Sequence, residues 1–335
     1  MLRGRALCLF VFLLPLRGLA QGLPHPDHIV LVIMENKRYE DVIDDNPATP
    51  ASKSRAPYLN GLAQSGALLT RSYGLHHPSQ PNYIELFSGN AQGICSDHPP
   101  RALIDAPNLA RSLGEAPNLG TKRGFVGFAE NLPADLATPS RGEYVRRHCP
   151  WLAFSGIPAD RSSDFSKFPQ TADGFVTLPA VAIVIPNLFD DIHSTSGSSP
   201  VARLKRRFNR HDIVAEVLQG DSWLEHNLGA YAAWAVTNNS LLVITWDEDS
   251  AENISGTLQL ELDRLDHDDR CEHAINTTQP NNHIPTIIIG EHVLPHSTSE
   301  APITHYNLLH TILDMEGLPP LGGSKTAPPI TDIWQ

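Results

Sequence analysis

The chain has 335 residues, with 37 acidic against 25 basic side chains and a formal net charge of −12. So large an excess of acid argues against sequence-independent nucleic-acid binding, which depends on neutralising phosphates, and against long-range attraction to an anionic membrane surface. The length suits one large α/β domain with insertions, or two small domains.

Residues 1–20 read as a cleaved secretory signal: Arg3 and Arg5 precede the apolar stretch 7–16, and Gly18 and Ala20 stand at the −3 and −1 positions. That stretch falls short of the roughly 20 residues needed to span a bilayer, and no later segment is apolar for longer. The expected product is secreted or periplasmic, without stable membrane insertion. The leader carries three basic residues and no acid, so its removal takes the net charge from −12 to −15.

The first element after the leader is the apolar run HIVLVIM (28–34), a buried strand ending at Glu35-Asn36. A helix over 57–64 follows, then a strand over 67–73 that leads to His76-His77-Pro78-Ser79-Gln80-Pro81-Asn82 and a helix over 80–87. A helix over 109–113 and a strand over 124–128 come next. LPAVAIVIPN (178–187) is a strand leading to Asp190, Asp191 and His193. Past the loop-like 194–200 and the basic cluster 203–210, read as a solvated surface, a helix over 213–227 leads to the strand SLLVITW (240–246) and Asp247-Glu248. Residues 251–280, acidic and rich in His and Asn, read as a loop insertion. The chain closes with His283, a strand over 284–289 and a helix over 306–315, for which Gly317 is the C-cap candidate. Helices alternating with apolar strands imply α/β architecture around a parallel sheet. In such sheets ligands bind beyond the carboxyl ends of the strands, where the polar groups above collect. Those groups come from both ends and the middle of the chain, so 21–335 is expected to form one domain.

Ser79, at a helix amino terminus, is either a nucleophile or an N-cap, and in isolation the cap is the stronger reading. The oxygen-bearing pairs Glu35-Asn36 and Asp247-Glu248, at the ends of two buried strands, shift the balance toward a site that holds a divalent cation of unknown identity. Mixed carboxylate and amide oxygens favour a hard ion, with zinc left open. Of 16 histidines, His193 and His283 stand beside strand termini and are the candidates for meeting a phosphoryl oxygen or protonating a leaving group. His77 is suited to orienting the Ser79 turn beside a bound phosphate. Three cysteines follow the leader: Cys95, Cys149 and Cys271. One bridge and one free thiol is the economical reading, and Cys95 with Cys149 is favoured because both lie in Pro-flanked loops, although connectivity is not fixed by sequence.

The segments HIVLVIMENKRYEDV, HHPSQPNYIELFSGN, EYVRRHCPW, VIPNLFDDIHS, LLVITWDE and NHIPTIIIG resemble, in this order, the phosphoesterase family that contains bacterial acid phosphatases and phospholipases C. ENKRY, HPSQPNY and TWDE are the most specific of these motifs. The resemblance implies an alkaline-phosphatase-like fold, with a mostly parallel central sheet flanked by helices on both faces. It implies Ser79 as nucleophile, Glu35, Asn36, Asp247 and Glu248 as metal ligands, Asn82 beside the phosphate, and His193 and His283 near the phosphoryl group. Two departures stand out: TWDEDSAEN replaces a glycine-rich loop with an acidic one, and RHCPW stands where relatives tend to have KHNPF.

The expected activity is that of a secreted, metal-dependent phosphomonoesterase of acid-phosphatase type, working through a phosphoserine on a small-molecule or lipid phosphate ester. The rival enzyme is a phospholipase C or other phosphodiesterase. The rival from another class is a non-catalytic surface binding protein on the same fold.

Overall fold

The structure, a computed structural model, describes residues 22–46, 48–50, 53–115, 124–193, 213–250 and 282–335. The expected leader, the basic cluster 203–210, the insertion 251–280 and Cys271 lie outside the described residues.

Thirteen strands are described: β1 (His28–Met34), β2 (Ala67–Leu69), β3 (Ser72–Tyr73), β4 (Phe125–Ala129), β5 (Ser140–Arg141), β6 (Tyr144–Val145), β7 (Ser162–Asp164), β8 (Val181–Ile185), β9 (Ser240–Trp246), β10 (His283–Ile284), β11 (Thr286–Gly290), β12 (Ser297–Ser299) and β13 (Ile303–Thr304). The α-helices are α1 (Tyr39–Val42), α2 (Pro57–Ser65), α3 (Ser79–Ser88), α4 (Leu109–Glu115), α5 (Ala172–Phe175), α6 (Ile213–Ala235) and α7 (His305–Met315).

Eight strands form the main sheet in the order β12-β2-β11-β9-β1-β8-β4-β7. Every pairing in it is parallel except those of β11, which runs antiparallel to both β9 and β2. The middle of the sheet reads as unbroken apolar sequence because both faces are covered. Along β1 the side chains alternate: Ile29, Leu31 and Ile33 enter one buried cluster with α3, α4 and α7, while Val30, Val32 and Met34 enter the other with α2 and α6. The result is a three-layer α/β arrangement with the sheet between two cores.

Local chemistry sets several boundaries. The apolar run 67–73 forms two strands, because β2 pairs in the main sheet while β3 turns away to pair with β10 and β13. The run 284–289 is likewise divided at Pro285, which has no N–H to give to a ladder. Helix α7 starts on Thr304, whose side chain accepts from Tyr306 N, and Gly317 adopts φ +65° just past its end. Gly127 lets the Trp151 ring lie on β4, since a Cβ there would stand 2.2 Å from it. Among the described residues no helix is long and apolar enough to cross a membrane.

The expected Cys95–Cys149 bridge does not form. Cys149 is a free thiol, 1% exposed and packed in the core beside Tyr144. Cys95 is disulfide-bonded, and the other two cysteines lie outside the described residues. The RHCPW segment reads as a loop by its proline, but its aromatic and thiol side chains pack inward, away from any partner sulfur.

Candidate active site

Strands β9, β1 and β8 are neighbours, so their carboxyl ends deliver Asp247-Glu248, Glu35-Asn36 and the 187–193 loop to one place. Backbone bonds fix this junction: Glu35 N donates to Asp191 O (2.9 Å) and Asp247 N to Met34 O (3.1 Å). Asn36 takes φ +57°, a left-handed conformation that Asn tolerates, and its N–H donates to Asp247 Oδ1 at 3.1 Å. Its carbonyl accepts from Lys37 Nζ (3.1 Å), which is buried in an ion pair with Glu216 of α6, also at 3.1 Å.

Ser79 is the first residue of α3, and Pro78 holds the N-cap position without a side-chain bond. The hydroxyl therefore does not cap its own helix. Oγ lies 2.6 Å from Glu35 Oε1 and 3.1 Å from Glu248 Oε1, so its single proton faces two carboxylates. The serine is buried at 4% exposure.

Histidines surround these acids. His193 Nδ1 bonds Glu35 Oε2 in a short contact, and His148 Nε2 lies 3.2 Å from Glu35 Oε1. His77 bridges Glu248 Oε2 (2.9 Å) and Asp249 Oδ1 (3.2 Å). Burial by itself would raise the pKa of Glu35, but His193 and His148 hold it well below the usual carboxylate range. Asp247 is pushed well above that range by burial and by Glu35 and Glu248 beside it. Glu248 is pushed up to about 7 by burial, only partly offset by His77. Asp191 rises through burial and the Glu35 charge. Burial works against charge on His77, yet Glu248 and Asp249 push it up to about 10, and the Glu35 charge pushes His193 up to about 9. His148, wholly buried and stacked on Tyr83 at 4.9 Å, is shifted down.

Four buried carboxylates at one strand junction are costly unless positive charge meets them. Asp247 Oδ2 and Asp191 Oδ2 are buried without a hydrogen-bond partner. These orphaned oxygens, with Glu35 and Glu248 buried at the same strand ends, are hard oxygen donors whose chemistry fits a divalent cation. Among the described residues no three His, Cys, Asp or Glu side chains already stand around one metal position, because Glu35 and Glu248 meet Ser79 and the histidines instead.

The structure thus brings together Ser79, Glu35, Asn36, Asp247, Glu248, His193 and His77. Asn82 is adjacent but differently employed. Its Oδ1 accepts from Leu75 N and His76 N, both at 2.9 Å, and its Nδ2 donates to His76 O at 2.9 Å, so the amide holds the loop before Ser79, while the second Nδ2 hydrogen has only long contacts, to Pro78 O at 3.4 Å and Glu248 Oε2 at 3.5 Å. His283 is not in the cluster. Its Nε2 meets Thr70 O at 2.8 Å and its ring stacks on Tyr39. The preceding residue faces the other way, as strand alternation requires, and Asn282 bonds Asp249 N (2.7 Å) and His76 O (3.0 Å). His148, Asp249 and Asn282 went unread in the sequence. The signal for His148 is its place in RRHCPW, directly before the cysteine.

The Phosphoesterase family model matches residues 51–319. The chain is 37% identical over 335 residues to a phosphatidylinositol-3-phosphatase of Mycobacterium tuberculosis, covering 99% of this chain and 91% of the relative. It is 24% identical to an acid phosphatase of Aspergillus fumigatus over 87% of this chain, spanning only 55% of that relative's length. Among solved structures it is similar to an alkaline-phosphatase-superfamily protein from Vibrio parahaemolyticus, with TM-score 0.55, 12% identity and coverage of 93% and 73% of the two chains. A lipoteichoic acid synthase from Listeria monocytogenes gives TM-score 0.54 at 12% identity, covering 88% and 73%. These structural likenesses show the alkaline-phosphatase fold.

Proposed function

Because the chain belongs to the Phosphoesterase family and is a hydrolase of phosphoester bonds, we propose that it is a secreted, cation-dependent phosphomonoesterase of acid-phosphatase type acting through a phosphoserine on Ser79. The observation that carries this reading is the position of the Ser79 hydroxyl, at the start of α3 with its proton facing Glu35 and Glu248.

Ser79 Oγ attacks phosphorus and its proton passes to Glu248, the more basic of the two carboxylates it faces. His193 bonds Glu35 through Nδ1, and its Nε2 has no partner among the described residues. This leaves the partly exposed edge of the ring to give a proton to the departing oxygen. Water then attacks the phosphoserine, releasing inorganic phosphate and restoring the hydroxyl. A divalent cation held by Glu35, Asn36, Asp247 and Glu248 would supply charge neutralisation on the phosphoryl oxygens. His77, with both ring nitrogens committed to Glu248 and Asp249, keeps Glu248 in place.

The 37% identity to a phosphatidylinositol-3-phosphatase makes phosphatidylinositol 3-phosphate the first lipid monoester to assay. The deciding experiment compares p-nitrophenyl phosphate and this lipid with bis-p-nitrophenyl phosphate, and traps labelled phosphate by acid quench. Monoester turnover with the label on Ser79 is expected. Rapid diester turnover with negligible monoester turnover, or label on another residue, would overturn the reading.

A further inference from the structure

A cavity of about 180 Å³ lies at the head of α3, with Gln80, Asp97, Pro99, Pro139, Ser140 and Arg147 in its wall. We infer that it is the subsite for a polyhydroxylated leaving group, the ring of a phosphorylated cyclic polyol with neighbouring hydroxyls. The inference rests on the phosphomonoesterase reading and deepens it.

Two of the wall residues are chain neighbours of the catalytic cluster. Gln80 directly follows Ser79, so their Cα atoms are about 3.8 Å apart. Arg147 directly precedes His148, which touches Glu35. Asp97 joins the two sides: its Oδ1 accepts from Gln80 N at 3.0 Å, and its Oδ2 lies 3.1 Å from Arg147 Nε. The Gln80 amide, oriented to satisfy its hydrogen bonds, donates to Ser96 O and His98 O and so secures the loop that carries Asp97.

The chemistry of the wall selects the ligand. Arg146 turns its Nε and Nη2 to the carbonyls of Leu136 and Leu152. Arg147 Nε stands 3.1 Å from Asp97 Oδ2 as an ion pair but is buried without a hydrogen-bond partner, and its two terminal amino groups have none among the described residues either. Its fork therefore offers donors, Asp97 offers acceptor lone pairs, and Ser140 offers both. A simple anion would face the Asp97 carboxylate, and an alkyl group would strip water from an ion pair without replacing its hydrogen bonds. A hydroxylated ring fits: its oxygens accept from Arg147, its hydroxyl hydrogens go to Asp97, and its C–H face meets Pro99 and Pro139. The volume is below the ~300–1,000 Å³ of pockets for drug-sized ligands, which suits a single ring.

Such a ring exists free in solution or as a lipid headgroup, and the substrates of the test distinguish the two. Full-length, cation-supplemented protein and the variants Arg147→Ala, Arg147→Lys and Ser140→Ala are assayed on p-nitrophenyl phosphate, myo-inositol 1-phosphate and a short-chain phosphatidylinositol 3-phosphate. With Arg147→Ala, the ratio of kcat/KM for a ring phosphate to that for p-nitrophenyl phosphate should fall roughly tenfold or more, chiefly through KM, as expected for losing hydrogen bonds from a charged donor. Lysine should restore it only in part, lacking the fork. A fall for both ring substrates points to the ring itself, and a fall for the lipid alone points to the headgroup in its lipid setting. An unchanged ratio, or equal loss on all three substrates, would overturn the inference. Should Arg147→Ala fail to fold, Ser140→Ala, on an exposed strand, reads the same ratio, and no change there would likewise overturn it. A wild type inert on all three substrates would instead bring down the phosphomonoesterase reading itself.

Discussion

The Ser79 hydroxyl makes no bond to its own helix, so removing its oxygen leaves α3 intact and frees Glu35 to keep its two histidine partners. Ser79→Ala should lose turnover by a factor on the order of 10⁴ or more while its melting temperature stays close to wild type; calorimetric titration with inorganic phosphate should still show binding. Retained turnover would remove the serine from the mechanism. Asn82 is predicted to behave differently, because its amide satisfies two N–H groups and a carbonyl of the loop before Ser79. Asn82→Ala should destabilise the fold by roughly 2–4 kcal/mol, the cost of leaving buried backbone groups unpaired, and lower kcat with it. Denaturant unfolding checks this, and an unchanged stability with a large rise in KM would point to substrate contact instead.

Helix α6 supports the site and its surroundings at three positions. Lys37 reaches its Glu216, Gly220 admits the 190–193 loop, and Asp221 caps α2. Ile192 is held at φ +78°, a costly conformation for a β-branched residue, and a Cβ at Gly220 would stand 2.3 Å from its Cγ1 and 2.9 Å from Asp190 O. Gly220→Ala should therefore push the loop that carries Asp191 and His193, lowering both kcat and the melting temperature. A variant with wild-type kinetics would show that the loop yields freely. Asp221 accepts from Tyr58 N (3.0 Å) and Leu59 N (2.8 Å), a role Ala56 at the N-cap of α2 has no side-chain oxygen to perform. Burial pushes Asp221 up to about 6. As pH rises from 4 to 7 the unfolded carboxyl ionises first, so its contribution to stability, full at acid pH, declines by about 2 kcal/mol across that window. Asp221→Asn lacks this titration, so its stability relative to wild type should improve by about that amount between pH 4 and pH 7 in urea unfolding. A constant difference would show that Asp221 titrates normally.

At the scale of the molecule, the parallel sheet carries three strand ends with their acids to one point, and the resulting excess of buried negative charge is the physical basis for expecting a cation. Chelation followed by desalting should abolish hydrolysis of p-nitrophenyl phosphate, and adding back one divalent ion should restore it, with bound metal measured on the same samples. Ion binding should also raise the melting temperature, by mass action on the folded state. Full activity in metal-free protein would leave the histidines and carboxylates to carry the chemistry alone.

The strands and the groups at their ends were legible in the sequence because both are local. HIVLVIM and SLLVITW are apolar without interruption, and the oxygen ligands follow each at once. The start of α3 at Ser79 was legible for the same reason. What the folded chain decided depends on direction and partnership, which local sequence does not carry. One is the antiparallel course of β11, and with it which of Asn282 and His283 faces the acids. Others are the commitment of the Asn82 amide to its own loop and the burial of Cys149 as a free thiol. The arrival of His148 against Glu35 joins positions more than a hundred residues apart, and only packing brings them within reach.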